Sequence, residues 1–324
     1  MQKHFLRLAA LVVFVAIESI GSAHSEGWPQ RSVKIVVPYA AGGNSDEIAR
    51  WLAPRLSETF GQPFVVENRP GASGAIAAEA VARSPADGYT LFLANLPQIA
   101  IVPATMKTSF DPLKDFAPIT IIATSPLVLV VHPSLPVKSV GEFVAYAREQ
   151  QGQLTYAAVG AGSITHLAMT LFMKRAGIAM TPVMYKGGAP AVTDVIAGHV
   201  KSHFAIVANA LPYAGSDMLR LLAVSSSQRL VQLAKVPTLG EAGYPDFKVL
   251  NWSGLMAPAG TSREIIDRVA REVSRAVKDP KIAALLAASG VDPLGNTPEE
   301  FATIIAADIP LWADAVKFAG LGEK

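Results

Sequence analysis

The chain has 324 residues, 51% of them hydrophobic and 17% charged, with no cysteine and a formal net charge of +2. That length accommodates about two domains with ample core, and the apolar fraction excludes a disordered chain. The missing cysteine excludes disulfides, Cys-ligated zinc, iron–sulfur clusters, a thiol nucleophile and a lipidated cysteine anchor, and the near-neutral charge argues against a nucleic-acid partner.

Mean hydropathy is +0.33, which raises a membrane question that the N-terminus partly answers. Lys3 and Arg7 precede an apolar run at 8–17, and Ala23 and Ser25 offer the small side chains a signal peptidase reads. This predicts a secretory signal over 1–25, cleaved near Ser25. A membrane anchor is the weaker reading, because the run is short of the roughly 20 residues a span needs. Pro, Gly or charge interrupts every later candidate. Removing Lys3, Arg7 and Glu18 leaves an exported, soluble chain of net charge +1.

Along the mature chain, a β-branched run at 33–38 predicts a buried strand. Gly42 and Gly43 then break it. Asn44 is the expected N-cap of a helix, with Glu47 completing a capping box. Ile48, Leu52 and Leu56 form that helix's apolar stripe, and Pro54 inside it should kink it. A strand at 64–66, a small-residue helix at 75–82 and a strand at 89–94 complete a βαβαβ unit, which implies a parallel sheet. The pattern repeats with strands near 127–132, 154–158, 181–185, 203–207 and 219–224, and helices at 140–148, 165–175 and 190–197. Thr261 with Glu264 should cap a helix whose inner face carries Ile265, Ile266, Val269 and Val273. Thr297-Pro298-Glu299-Glu300 opens another, with Pro at its first position. The expected fold class is therefore α/β, with two lobes, a helical C-terminal extension and a cleft. In such sheets ligands bind where strand carboxyl ends lead into helix N-termini.

Three strand-to-helix loops carry the candidate chemistry. Residues 40–45 expose backbone N–H groups at a helix start, which suits an anion; the loop lacks the Gly-Lys-Ser/Thr ending of a P-loop. Residues 159–163 enter the helix carrying His166 but lack a dinucleotide fingerprint, so no nicotinamide cofactor is expected. Residues 68–74 contain Gly71-Ala72-Ser73-Gly74-Ala75, superficially a nucleophile elbow. A hydrolase would then need a histidine late in the chain, and the last is His203. His199 and His203 have metal-ligand spacing, yet the segment reads as strand with Lys201 between them, so both are expected to be surface histidines. No metal, cofactor or catalytic residue is expected. What remains is a set of neutral donors aimed into a cleft, suited to reversible binding of a carboxylate.

At these loops the chain resembles the substrate-binding proteins of tripartite tricarboxylate transporters, the Bug family. The resemblance rests on Val37-Pro38-Tyr39-Ala40-Ala41-Gly42-Gly43-Asn44-Ser45-Asp46, Glu67-Asn68-Arg69-Pro70-Gly71-Ala72-Ser73-Gly74 and Pro85-Ala86-Asp87-Gly88-Tyr89-Thr90-Leu91. Further matches are Lys114-Asp115-Phe116-Ala117-Pro118-Ile119, Gly162-Ser163 with His166, and Tyr185-Lys186-Gly187-Gly188-Ala189-Pro190. Pro237-Thr238 with Glu241, and Trp252-Ser253-Gly254 before Ala257-Pro258-Ala259-Gly260-Thr261, complete the set. It implies a two-lobed Venus-flytrap fold, with lobe 1 at 26–125 plus 251–324, lobe 2 at 126–250, and crossings near 124–127 and 249–252. It further implies a monomeric periplasmic receptor that passes a small carboxylate to one small and one large integral membrane subunit. Carried over by resemblance, the ligand site comprises Tyr39, Ala41, Gly43, Asn44 and Ser45, with Ser73 beside them and Ala161, Gly162, Ser163 and His166 facing them.

Two departures bear on the ligand. Many relatives carry Asp after Phe204, where this chain has Ala205. After Asn95, relatives often have small residues and a His, where this chain has Leu96-Pro97-Gln98. Both changes are expected to make the pocket less polar, favouring an apolar or aromatic monoacid over an amino acid. Two other readings compete. One is an exported α/β hydrolase using Ser73 or Ser163; the other is an orphan receptor signalling to a sensor protein.

Overall fold

The computed structural model describes residues 27–42, 44–288 and 290–322. The expected signal segment, Gly43 and the side chain of the expected N-cap Asn44 lie outside the described residues.

The first half opens with β1 (Val33–Val37), α1 (Asn44–Phe60), β2 (Phe64–Asn68), α2 (Ala75–Ala82) and β3 (Thr90–Asn95). β1 lies between β2 and β3, parallel to both. Its alternate side chains serve two cores: Val33, Ile35 and Val37 meet Ile48, Leu52 and Leu56 of α1, and Val36 joins Ala77, Ala78 and Val81 of α2. A parallel strand covered on both faces favours such a β-branched sequence, interrupted here by the exposed Lys34. A π-helical turn, Pro97–Ile101, then leads into the short α3 (Val102–Thr105).

β4 (Phe116–Val131) is 16 residues long and runs through both halves. The second half follows with α4 (Val140–Glu149), β5 (Thr155–Ala158), α5 (Ile164–Ala176), β6 (Thr181–Met184), α6 (Gly188–Ile196), β7 (Ser202–Ile206), the single turn α7 (Val207–Ala210) and β8 (Arg220–Val224). The chain returns through β9 (Leu250–Pro258) and ends with α8 (Arg263–Val277), α9 (Pro280–Ala288), β10 (Asp292–Pro293) and α10 (Pro298–Phe318).

The sheet order reveals two equivalent lobes. One reads β2-β1-β3-β9-β4, and the other β6-β5-β7-β4-β8. In each, the fourth strand runs antiparallel to its neighbours and is the strand that arrives from the opposite lobe. Pairing along β4 passes from β9 at Pro126 to β7 at Leu127. Ser225, fully buried, ties the two crossing segments together: its Oγ accepts from the Leu127 N–H and donates to the Val249 carbonyl.

Helix α10 does not stay with one lobe. Phe301 packs edge-on against Trp252 of β9, and Trp252 Nε1 donates to Asp308 Oδ2 at 2.8 Å. Beyond Pro310, Trp312, Ala315 and Val316 join the core that contains Leu167 and Phe172 of α5, and Lys174 of α5 lies over the Phe318 ring.

The helix starts show what local chemistry decides. Thr297 and Glu300 form the expected capping box, with Pro298 in the first turn. At α8 the cap is Ser262, not Thr261: the Thr261 hydroxyl donates to the Pro258 carbonyl, and Ser262 Oγ accepts from the Ile265 N–H. The stripe of Ile266, Val269, Val273 and Val277 is buried at three-to-four spacing, each side chain contributing about 1.5–3 kcal/mol. His203 is not a surface residue either. It is fully buried on β7, a strand between β4 and β5, with Nδ1 against the Ala157 carbonyl. His199 is exposed, beside Asp194.

Candidate functional site

A cavity of about 770 Å³ opens between the two lobes. Its lining comes from the carboxyl ends of parallel strands: Tyr39 after β1, Ser73 after β2, Asn95 and Pro97 at β3, residues 159–165 after β5, Gly188 after β6, and Ile206 with Asn209 at β7. Asn251 from the returning crossing strand and Leu321 from the C-terminal tail complete the walls.

On the first lobe, a side-chain network holds the wall. Asp46 is almost fully buried. Its carboxylate accepts from the Gly42 N–H at 2.8 Å, from Arg50 Nε at 2.8 Å and from Asn68 Nδ2 at 2.9 Å. The Arg50 guanidinium, with these N–H donors, holds the carboxyl down at about 2. Asn68 Nδ2 also donates to the Tyr39 carbonyl, so one amide joins two turns of the loop. Nearby, Ala72, Ser73 and Gly74 all adopt positive φ. Gln98, fully buried, holds that strained turn: its Nε2 donates to the Ser73 carbonyl and to Tyr39 Oη, and its Oε1 accepts from the Asn95 N–H. A Cβ on Gly74 would lie 2.6 Å from the Gln98 side chain, so glycine is required there. Ser45 Oγ pairs with the Asn95 side chain, which also reaches Ser253 Oγ.

On the second lobe, the wall is mostly backbone. Ser163 caps α5, its Oγ accepting from the His166 N–H. Thr165 Oγ1 accepts from the Val159 N–H, and His166 Nδ1 accepts from the Gly162 N–H at 3.1 Å. Burial pushes the His166 ring below its ordinary value, which keeps it neutral and able to accept. The His166 N–H is taken up by the Ser163 cap, and the first two residues of α5, Ile164 and Thr165, line the cavity at the positive end of the helix dipole. Burial pushes the Tyr39 phenol up. Among the described residues, no charged side chain lines the cavity.

The structure brings Tyr39, Ser45, Ser73, Ala161, Gly162 and Ser163 together around the cavity. Gly43 lies outside the described residues, as does the Asn44 side chain. Ala41 is exposed near the loop but is not among the lining residues. Leu96 is buried in the core beside Ile99, and Ala205 is fully buried among Val128, Val192 and Val195. Neither reaches the cleft, so neither can lower its polarity. His166 is a brace behind the wall. Asn209, Asn251, Met106 and Leu321 carried no motif; they become visible only when the crossings and α10 bring distant segments together.

A family model described as "Tripartite tricarboxylate transporter family receptor" matches residues 48–321. The chain belongs to that family. The receptor is 36% identical over 316 residues to protein BugT of Bordetella pertussis, covering 97% of each chain. Among solved structures it resembles an R. palustris protein solved with adipate, at 37% identity and TM-score 0.74, covering 91% of this chain and 99% of that one. It also resembles MatC of Rhodopseudomonas palustris with bound malate, at 31% identity and TM-score 0.71, covering 89% and 100%. A TctC solute-binding protein from Polaromonas, solved with no ligand, gives 28% identity and TM-score 0.82, covering 90% and 99%. The two-lobed solute-binding fold is thus that of the family, and among the described residues no helix is long and apolar enough to cross a membrane.

Proposed function

We propose that this receptor captures a small carboxylate between its lobes and delivers it to the integral subunits of a tripartite tricarboxylate-type transporter. The observation that carries this is the cavity wall of neutral polar groups at the N-terminus of α5 and at Tyr39, with no charged side chain among the described lining residues. Such a set holds an anion by hydrogen bonds and releases it again. The adipate and malate of the solved relatives support the ligand class.

Lobe 1 is taken as 26–125 plus 251–324 and lobe 2 as 126–250, with α10 shared between them. Export rests on the basic and apolar start of the chain, with cleavage near Ser25; the intact mass of secreted protein tests it. The working unit is a monomer. The higher TM-score with the ligand-free Polaromonas protein, despite its lower identity, supports reading this cleft as the open form.

The ligand body is apolar or aromatic, with one carboxylate. Ile101, Val102, Met106, Ile206 and Leu321 line the cavity, and among the described residues no carboxylate lines it to pair an ammonium group. Thermal shift against adipate, malate, aspartate, citrate, benzoate and phenylacetate tests this, because ligand at about 100 Kd adds about 2.7 kcal/mol to stability. Tighter binding of aspartate or citrate than of the aromatic monoacids would overturn the apolar-body reading.

Catalysis is not part of this function. Ser73 Oγ has no hydrogen-bond partner among the described residues, and the Ser163 hydroxyl and the His166 ring are engaged with Thr165 and the loop backbone. Ester turnover abolished by Ser73→Ala, with no acid raising the melting point, would establish the hydrolase instead.

A further inference from the structure

We propose that Gln98 is a positioning residue for ligand recognition, one that commits the Tyr39 hydroxyl to donate its proton into the cleft. The inference rests on reading the cleft as the ligand site.

A primary amide carries one acceptor oxygen and two N–H donors. Which end of a buried amide is which must be inferred from its partners, and here the partners are decisive. Oε1 lies 3.0 Å from the Asn95 N–H, which can only donate. Nε2 lies 2.9 Å from the Ser73 carbonyl, which can only accept. Turning the amide over would set donor against donor and acceptor against acceptor. The orientation is therefore fixed by two backbone groups, and the remaining Nε2 hydrogen goes to Tyr39 Oη at 2.8 Å.

A phenol oxygen that accepts from this amide cannot also donate to it. The Tyr39 proton must point elsewhere, and no other residue among those described partners that oxygen. Tyr39 lines the cavity, so its O–H is presented to whatever fills the cleft. An oxygen anion completes that arrangement, whereas an ammonium group would meet a proton. Gln98 itself never touches the cavity, yet it sets the polarity there. The interaction also links three loops that sequence separates, at Tyr39, Ser73 and Asn95.

The test combines a ligand-free and a ligand-bound reading of Tyr39→Phe, Gln98→Met, Gln98→Glu and the double variant Gln98→Met with Tyr39→Phe. In the ligand-free receptor, 13Cζ-tyrosine NMR assigns Tyr39 by its loss in Tyr39→Phe. In Gln98→Met that resonance should shift and titrate at higher pH, because a donor to the phenolate is gone. An unchanged titration in both Gln98 variants would overturn the proposal without any ligand. Calorimetry with adipate and with benzoate then reads recognition. Tyr39→Phe and Gln98→Glu should each weaken binding about 10- to 100-fold, with the Gln98→Glu loss easing as pH is lowered. The double variant should bind no more weakly than Tyr39→Phe alone, whereas additive losses would show that Gln98 acts independently of Tyr39. If neither acid binds the unmodified receptor, the ligand reading fails, and the NMR arm still decides the role of Gln98.

Discussion

The two walls of the cleft reach the same chemistry by opposite means. On the first lobe, donors are placed by side chains: Asp46, Asn68 and Gln98 lace together turns that would otherwise be strained. On the second lobe, the wall is the N-terminus of α5 and the loop before it: Ser163 caps the His166 N–H, while Thr165 and His166 hold the Val159 and Gly162 N–H groups of the loop. A wall made of backbone tolerates side-chain change. A wall made of interlocked side chains does not.

Matched glycine substitutions are the sharpest way to break this contrast. Gly74 and Gly160 both have positive φ, but a Cβ on Gly74 meets Gln98 while one on Gly160 meets nothing within 4 Å. Gly74→Ala is expected to cost about 2–5 kcal/mol, from overpacking and the left-handed backbone together, and to abolish acid binding. Gly160→Ala should cost only about 1–2 kcal/mol. Urea titration and calorimetry on the pair check both; equal costs would erase the asymmetry.

Next in size is a buried side-chain brace of the second lobe, His166. His166→Ala leaves the Gly162 N–H without its acceptor, for an expected loss of about 1–3 kcal/mol. His166→Gln should restore part of it by keeping an acceptor. Chemical denaturation of the two variants measures the difference.

The pH profile extends the comparison to buried charge. Burial raises Asp308 to about 6, so between about pH 4 and 6 the folded chain keeps a proton that the unfolded chain releases, and stability falls as pH rises. His203 is pushed down to about 4 by burial, so stability falls as pH drops from about 6.5 to 4. These two slopes oppose and largely cancel between about pH 4 and 6, while the lowered His166 and His132 add a further loss of stability on acidification. Asp308→Asn removes one slope, and that variant should lose about 1.4 kcal/mol per pH unit on acidification. Asp46, held at about 2, costs stability only as pH falls below about 4. Urea midpoints across the pH series report each term.

The smallest expected effect is at the C-terminal tail. Leu321 lines the cavity and would lie 3.9 Å from a Cβ on Gly162. Leu321→Ala should leave the melting point within about 2 °C while shifting preference toward bulkier acids, read as the ratio of Kd for phenylacetate to that for benzoate.

The βαβ order and the anion-suited loops were legible because period, capping and glycine placement are local signals. Thr297 illustrates this: its capping box with Glu300 follows from residues within one turn. The length of β4 was not legible, since its first portion, Phe116 to Pro126, mixes prolines and polar residues and becomes a strand only by pairing with β9. Ala205 and Leu96 misled for a related reason. Strand parity and a helical turn, neither fixed by a motif match, turn them into the core. In the sequence Gln98 stands out as a departure that suggests a lining change, because a chain of letters does not show that Ser73, Tyr39 and Asn95 converge on one amide.

Ser225 and α10 together determine how the lobes move. Ser225 fastens the two crossing strands side by side and makes a pivot. Helix α10 is a second tie, with Trp252 of β9 gripping its Phe301 and Asp308 on one side and α5 packing against its far end on the other. Two plates joined by a pin and a strut cannot swing freely, so rotation must flex the strut. Pro310 interrupts its ladder of N–H donors midway between the grips. A receptor built this way is expected to behave as a sprung clamp, its rest angle set by the helix and its travel limited by how far Pro310 lets it bend.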